Sequence, residues 1–541
     1  MHILNKISTL TSNKILLKAF PFIIHPKHNG MGLKKNWIVL LYCCCCYLIA
    51  QAQKSPAEVR PNIIVFLVDD MGWQDCSVPF WNVVTPLNKR YHTPNMERLA
   101  REGMKFNNAY ATPVCSASRI SLLTGMNVAH HGVTDYLAIN KNINTDYPDD
   151  QMNPSPWMIN GLSPIKGIPS TVHATAFPQL LKEAGYSTIH VGKAHWAVQG
   201  TPGANPLNIG FTVNVAGHAG GAPQSFLGED NYGNIPGKAT GAAVPDLEEY
   251  FGSDTFLTEA LTLEALKAMD AAILHHQPFY LNMFHHAVHA PLQADSRFFQ
   301  KYIDAGLDSN EARYASMVEG MDKSLGDIMD FIQQKKIENN TIIFFISDNG
   351  GLGLVPPRQG PRNTQNLPLK NAKGCVYEGG IRVPMLVKWK GITKPGSVTD
   401  QYTIIEDFFP TILEMAKLSS YKTVQIVDGK SMVPLLKNPD RSDSVRSLIW
   451  HLPNKWQPLD GHYQSAIRQG RWKLIYQMRD GKKELYDLSN DIGEQHNLAE
   501  QHPEKVKALA ALLGNQLRAW NSPMPRYKNS GNVVPMPDEK N

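Results

Sequence analysis

The chain has 541 residues, 43% of them hydrophobic and 19% charged, with a formal net charge of +5. This length and composition exclude a disordered or fibrous protein and leave room for one large domain and a smaller one. Six of the 53 basic residues (Lys6, Lys14, Lys18, Lys27, Lys34 and Lys35) lie in residues 1–52, which hold no Asp or Glu, so the remaining 47 face 48 acidic residues. The rest of the chain is therefore near neutral, and a nucleic-acid partner has no electrostatic basis.

In residues 1–52, Lys34 and Lys35 precede an apolar run from Trp37 to Ile49 that closes on Ala50-Gln51-Ala52. This is the pattern of a secretory signal peptide cleaved after Ala52, with Met31 as an alternative start. The run is too short for a comfortable membrane span and the polar stretch Gln53 to Glu58 follows it, so a secreted or periplasmic protein with no stable membrane insertion is expected. Cys43 to Cys46 would leave with the leader. The remaining Cys76, Cys115 and Cys375 make no disulfide framework.

Asn62 to Val68 is an unbroken apolar run rich in β-branched residues, ended by Asp69-Asp70, and reads as a buried parallel strand. A helix is expected over Pro94 to Glu102 with Gly103 as its stop, and another over Pro178 to Ala184 closed by Gly185. The second leads into a strand, Thr188 to Val191, that delivers Gly192-Lys193, giving βαβ alternation. A helix from Glu311 to Gln334 precedes a second buried strand, Thr341 to Ser347, which ends in Asp348-Asn349-Gly350. Two strands thus present oxygen ligands at their C-terminal ends, the edge where open α/β sheets bind ligands.

After about residue 440 the chain turns to short alternating strands (Ser465 to Arg468, Trp472 to Tyr476, Glu484 to Tyr486) and one amphipathic helix, Pro503 to Trp520. The expected organisation is a leader over 1–52, a large α/β domain over 53–435, an α+β subdomain over 436–525 and a loosely ordered polar tail over 526–541.

Asp69, Asp70, Asp348 and Asn349 would form a hard oxygen cluster suited to calcium or magnesium rather than zinc. Taken singly, each pair reads more often as a turn or loop signal than as a ligand pair. The segment Cys115-Ser116-Ala117-Ser118-Arg119, followed by Leu122-Leu123-Thr124-Gly125, resembles the signature of the type I sulfatases of the alkaline-phosphatase-like superfamily. The resemblance continues through Gly192-Lys193-Ala194-His195, Asp348-Asn349-Gly350, Lys373-Gly374 and Tyr377 to Pro384, and reaches Ala466-Ile467-Arg468, Trp472 to Ile475 and Glu484 to Asp487. It implies a large, mostly parallel mixed sheet flanked by helices, with a smaller C-terminal α+β domain.

It also implies an enzyme that hydrolyses sulfate esters. Cys115 would be oxidised to formylglycine (3-oxoalanine) by a formylglycine-generating enzyme. The hydrated aldehyde would use one hydroxyl to attack sulfur and the other to expel sulfate. Asp69, Asp70, Asp348 and Asn349 would hold one Ca²⁺ against residue 115, Arg119 would steady the hydrate, and Lys193 and Lys373 would neutralise sulfate oxygens. His195 would assist elimination. His289 matches the leaving-group acid and is expected to titrate near neutral pH. His218, in a Gly-rich loop, and His451, from the second domain, are candidate substrate contacts, whereas His130-His131 reads as a structural pair.

The expected substrate is a sulfated poly- or oligosaccharide such as ulvan, carrageenan or a glycosaminoglycan. Two alternatives remain: a phosphodiesterase or phosphonate hydrolase of the same superfamily, and an inactive glycan-binding homologue in which Cys115 stays a thiol.

Overall fold

The computed structural model describes residues 60–456 and 462–539, so the expected leader lies outside the described residues. A nine-stranded sheet runs through the large domain. Its strands are β1 (Asn62–Val68), β2 (Met104–Tyr110), β3 (Ser187–Gly192), β4 (Val213–Val215), β5 (Phe279–Phe284), β6 (Thr341–Ser347), β7 (Arg382–Trp389), β8 (Ser397–Thr399) and β9 (Thr403–Ile404). The spatial order is β8-β2-β7-β6-β1-β5-β3-β4, with β9 also paired to β2. Each of these pairings is parallel except those of β7, which runs against both β2 and β6.

Strand β1 sits at the centre and is buried along its whole length, which is why it needs apolar residues on both faces. Ile63, Val65 and Leu67 join one core with the helices α2 (Cys115–Thr124), α3 (Phe177–Glu183) and α6 (Phe408–Met415). Ile64, Phe66 and Val68 join the other with α1 (Pro94–Glu102), α4 (Leu257–Leu274) and α5 (Ser309–Gln334). The period-2 alternation of a strand thus builds two hydrophobic layers on one sheet.

The second sheet is an antiparallel meander of β10 (Ser447–Leu452), β11 (Gln464–Gln469), β12 (Trp472–Gln477) and β13 (Lys483–Asp487), packed against α7 (Pro503–Ala519). Its other face meets the large domain through buried charge. Lys473 Nζ lies 2.8 Å from both Glu378 Oε1 and Glu494 Oε1, and Arg382 and Tyr110 each donate to Glu378 Oε2 at 2.7 Å. The described residues from Arg60 onward form one compact unit.

The tail differs from expectation. Arg526–Tyr527 pair with Met152–Asn153, and the Tyr476 hydroxyl donates to the Pro535 carbonyl at 2.8 Å, so backbone pairing anchors a segment whose composition alone suggested looseness.

Between β9 and α6, the buried Glu406 accepts from Asn127 Nδ2 at 2.7 Å through Oε1, while Oε2 has no hydrogen-bond partner among the described residues. Burial, with Asp407 adding, pushes its carboxyl up to about 8. A carboxyl raised above its unfolded value lends stability that is complete below the unfolded pKa and is lost as pH rises through the folded one. Glu406→Gln is therefore expected to melt roughly 2–5 °C above wild type at pH 9 and level with it near pH 4, read by thermal unfolding at both pH values.

Candidate active site

Because the strands are parallel, one edge of the sheet collects their C-terminal ends. Asp69 and Asp70 follow β1, Asp348 and Asn349 follow β6, Lys193 and His195 follow β3, and His285 to His289 follow β5. β2 leads through residues 111–114 to Cys115, the first residue of α2, and Arg119 lies one helical turn further on. β7 runs the opposite way, so the segment before it, which carries Lys373, arrives at the same edge.

Arg119 is fully buried. Its Nε and Nη2 donate to Asp348 Oδ2 at 3.0 and 2.8 Å, and Nη1 donates to the Lys193 carbonyl at 2.6 Å. Lys193 Nζ donates to Asp69 Oδ2 and Lys373 Nζ to Asp70 Oδ1, each at 2.5 Å. Three carboxylates, Asp69, Asp70 and Asp348, are thus matched by three cations.

Burial, with Asp348 and Asp70 adding, pushes Asp69 well above the usual carboxylate range. Burial would raise Asp70 too, but Lys373, His289 and Lys193 outweigh it and hold that carboxyl below its ordinary value. Burial would lower Lys373, yet Asp70 beside it holds its ammonium above the ordinary range.

Asp69 Oδ1, Asp70 Oδ2 and Asn349 Oδ1 are buried and have no hydrogen-bond partner among the described residues. Such atoms are costly unless a ligand satisfies them, and three oxygens of this type suit a hard divalent cation. Ligand atoms of Asp69, Asp70 and His289 lie within 4.8 Å of one another, with His289 Nε2 3.6 Å from Asp70 Oδ2. Asp348 is differently engaged, since Oδ1 accepts from the Asp70 amide at 3.3 Å and Oδ2 from Arg119. With the charges already balanced, a divalent cation here would leave the positive excess that an anionic ester needs.

Cys115 Sγ faces His195 Nδ1 at 3.4 Å, at the N-terminus of a ten-residue helix where the helix dipole favours negative charge. His195 Nε2 donates to the Leu137 carbonyl at 2.8 Å, which fixes the neutral tautomer and leaves Nδ1 as an acceptor toward residue 115. Burial, with Lys193 adding, holds this imidazole well below its ordinary pKa. His195 and Asp70 both carry left-handed backbone, with φ of 49° and 62°. The loop Gly217 to Gly221 lies over the His195 ring, where a Cβ on Gly221 would stand 2.5 Å from Cε1, so glycine is needed there.

Two expectations require correction. His451 is fully buried in β10, its Nδ1 on Ser465 Oγ and its Nε2 on the Pro523 carbonyl, both at 2.7 Å, so no nitrogen is free for substrate. His289 is not poised near neutral pH, because burial pushes it down to about 3 against the pull of Asp70. His218 is partly buried, with Nδ1 3.1 Å from the Ala216 carbonyl, and its ring stands 6.5 Å from that of His286. His131 bonds Ser121 and His130 pairs with Asp428 at 2.8 Å, so the doublet serves the fold.

The structure adds residues that sequence reasoning did not single out. His286 is fully buried with neither ring nitrogen hydrogen-bonded among the described residues. Trp456 packs with Val114 and Ala117 at the start of α2 and lies 5.9 Å from Lys373 Nζ. His286 sat in a visible motif, whereas nothing in the sequence ties Trp456 to residue 115.

Residues 61–418 match the family model described as sulfatase, and residues 371–522 match that described as N-sulphoglucosamine sulphohydrolase, C-terminal. A sulfatase of Formosa agariphila is 29% identical over 91% of this chain and 95% of its own length. The N-acetylgalactosamine-6-sulfatase of Mus musculus is 32% identical over 84% of this chain and 85% of its own. Among solved structures, Ps i-CgsB in complex with k-i-k-neocarrahexaose superposes with a TM-score of 0.65 at 26% identity, covering 85% of this chain and 93% of that one.

Proposed function

The chain belongs to the sulfatase family and is a sulfuric ester hydrolase, and from that premise we propose that it desulfates a carbohydrate using a formylglycine made from Cys115 and one bound Ca²⁺. The observation that carries this reading is the trio of unpartnered buried oxygens, Asp69 Oδ1, Asp70 Oδ2 and Asn349 Oδ1, gathered with Lys193 and Lys373 at the edge where α2 presents residue 115.

When bound, the cation supplies Lewis acidity toward a sulfate oxygen, and the aldehyde hydrate supplies the nucleophilic hydroxyl. The chain's own residues supply the rest. Asp69, Asp70 and Asn349 would hold the cation, while Asp348 seats Arg119 and has lone pairs that could join them. Each ammonium of Lys193 and Lys373 places one of its three N–H donors on a carboxylate, so two remain for sulfate oxygens. His195 Nδ1 is the acceptor for a proton from residue 115. His289 Nδ1 lies 2.7 Å from the Ala290 carbonyl, which leaves Nε2 facing the site. An anionic sulfate beside it offsets the desolvation that keeps it neutral, and the protonated ring then serves the leaving sugar oxygen.

The natural substrate class is a sulfated glycan such as carrageenan, ulvan or a glycosaminoglycan. The neocarrahexaose held by the structural neighbour supports a carbohydrate rather than a small aryl ester. The leader supports secretion or periplasmic export, where polysaccharides are met. No helix among the described residues is long and apolar enough to cross a membrane.

The test is mass spectrometry of the Cys115 peptide from a host with sulfatase-maturing activity, with sulfate release assayed on the same protein. An aldehyde in place of the thiol is expected, and chelation of calcium should lower sulfate release at least ~100-fold, reversibly. An unmodified thiol from a host that matures a control sulfatase overturns the reading and favours a glycan-binding protein.

A further inference from the structure

We propose that Trp456 is a positioning residue for Lys373: its indole clamps the turn that carries this lysine against the start of α2, and so fixes where the ammonium meets the sulfate of the substrate. This deepens the reading above and rests on it for the role given to Lys373.

The joint begins in the backbone. The Lys373 amide donates to the Gly351 carbonyl at 3.1 Å, and the Gly374 amide donates at 2.9 Å to the carbonyl of Pro113, just ahead of Cys115. Gly374 has a φ of +88°, and a Cβ there would stand 1.9 Å from Cε3 and 2.5 Å from Cζ3 of Trp456. The benzo edge of the indole therefore rests directly on the Gly374 backbone, with no room for a side chain between them. The same residue packs with Val114 and Ala117, which bracket residue 115 at the start of α2. One side chain, only 4% exposed, thus meets both pieces of chain that must be held in register.

Trp456 is itself held to the frame of the nucleophile. It follows β10 by way of Asn454 and Lys455. The fully buried Asn454 donates from Nδ2 to Asp146 Oδ1 at 2.6 Å and accepts from the Thr134 hydroxyl, and the Lys455 carbonyl accepts from the Tyr147 amide at 3.0 Å. The same stretch, residues 134–147, includes Leu137, whose amide donates to Ser116 Oγ at 3.0 Å and whose carbonyl holds His195.

The chemistry of lysine explains the need. An ammonium is a point charge on a flexible stem, and nothing in its own structure fixes its direction. Asp70 Oδ1 takes one N–H of Lys373. The Trp456 ring centroid lies 5.9 Å from Nζ, inside the range of about 6 Å over which an aromatic ring attracts a cation. An indole steadies the charge in this way without a second carboxylate, so the remaining N–H donors stay available to sulfate oxygens. A shift of about 1 Å in such a group is enough to lower turnover about 100-fold.

The experiment titrates inorganic sulfate into the matured, calcium-loaded protein by calorimetry, and measures kcat and KM on an aryl sulfate. Trp456→Ala should weaken sulfate binding about tenfold and lower kcat/KM about 30- to 100-fold, at unchanged binding stoichiometry. Trp456→Phe, which keeps a ring against Gly374, should recover most of both. In a Lys373→Ala background, Trp456→Ala should cost less than about threefold, because the group it positions is gone. A ring that merely supports the fold would lower the stoichiometry at unchanged affinity and add its full loss to that of Lys373→Ala, and either result overturns the proposal. If Trp456→Ala does not fold, Trp456→Leu is put through the same titration and the same double-mutant cycle. Full activity in Lys373→Ala removes the role of that lysine itself, whereas additive losses remove only the part given to Trp456.

Discussion

Turnover by Cys115→Ala is expected to fall by about 10⁴- to 10⁶-fold, the size of loss seen when a nucleophile is removed from an otherwise intact site. The fold should survive the change. Cys115 is the first residue of α2, and the helix is held by its own backbone and by the packing of Ile120, Leu122 and Leu123 in the large core. Among the described residues Sγ makes one side-chain hydrogen bond, 3.4 Å to His195 Nδ1, and Ser116 Oγ lies 3.3 Å from the same nitrogen and keeps it partnered. Losing one buried sulfur should cost on the order of 1 kcal/mol, so the melting temperature should drop by only a few degrees. Steady-state sulfate release and thermal unfolding on the same preparation check both halves. Substantial activity in the folded variant would remove residue 115 from the mechanism.

Arg119→Ala is expected to lose stability and activity together. The guanidinium is wholly buried, donates twice to Asp348 and once to the Lys193 carbonyl, and lies 5.3 Å from the Phe284 ring. Removing it leaves Asp348 as an uncompensated charge next to Asp69 and Asp70, and breaking a buried pair in this way costs about 3–5 kcal/mol. Arg119→Lys should recover little, because one ammonium cannot reproduce the planar fork that spans a carboxylate and a carbonyl. Denaturant unfolding separates this variant from Cys115→Ala, and a midpoint equal to wild type would sink the argument. Added Ca²⁺ should restore part of the stability, since a cation bound at Asp69 and Asp70 replaces some of the lost positive charge.

The centre of the sheet was legible in the sequence for a simple reason. β1 and β6 are flanked by strands on both sides and covered on both faces, so each must be continuously apolar and each stops at a carboxylate. Three strands of the same sheet, each broken by a polar residue or a proline, were not legible. β5 is interrupted by Asn282, which among the described residues bonds Tyr280 on its own strand and His190 on β3. β7 contains Pro384, a residue that argues against a central strand and is tolerated here at a register shift between Val383 and Met385. β2 shows Asn107 and Asn108, whose amides reach Asp400 and its carbonyl.

The same division runs through the site. Asp69, Asp70, Asp348, Asn349, Lys193 and His195 stand directly at strand ends and could be read from position. The burial that lowers His289 and fills the nitrogens of His451 belongs to tertiary packing that no local pattern encodes.

The buried meeting of Lys473 with Glu378 and Glu494 bears on how such a protein can diverge. Glu378 stands five residues after Lys373, on the segment that brings that ammonium to the sheet edge, while Lys473 belongs to the second sheet. Residues 370–382 and strands β10 to β13 therefore constitute one heritable module, although the obvious cut in the sequence falls between them. A recombination that exchanged the C-terminal sheet alone would strand a charge in the interior. One that carried the earlier segment with it would transplant a matched pair, together with the lysine it positions.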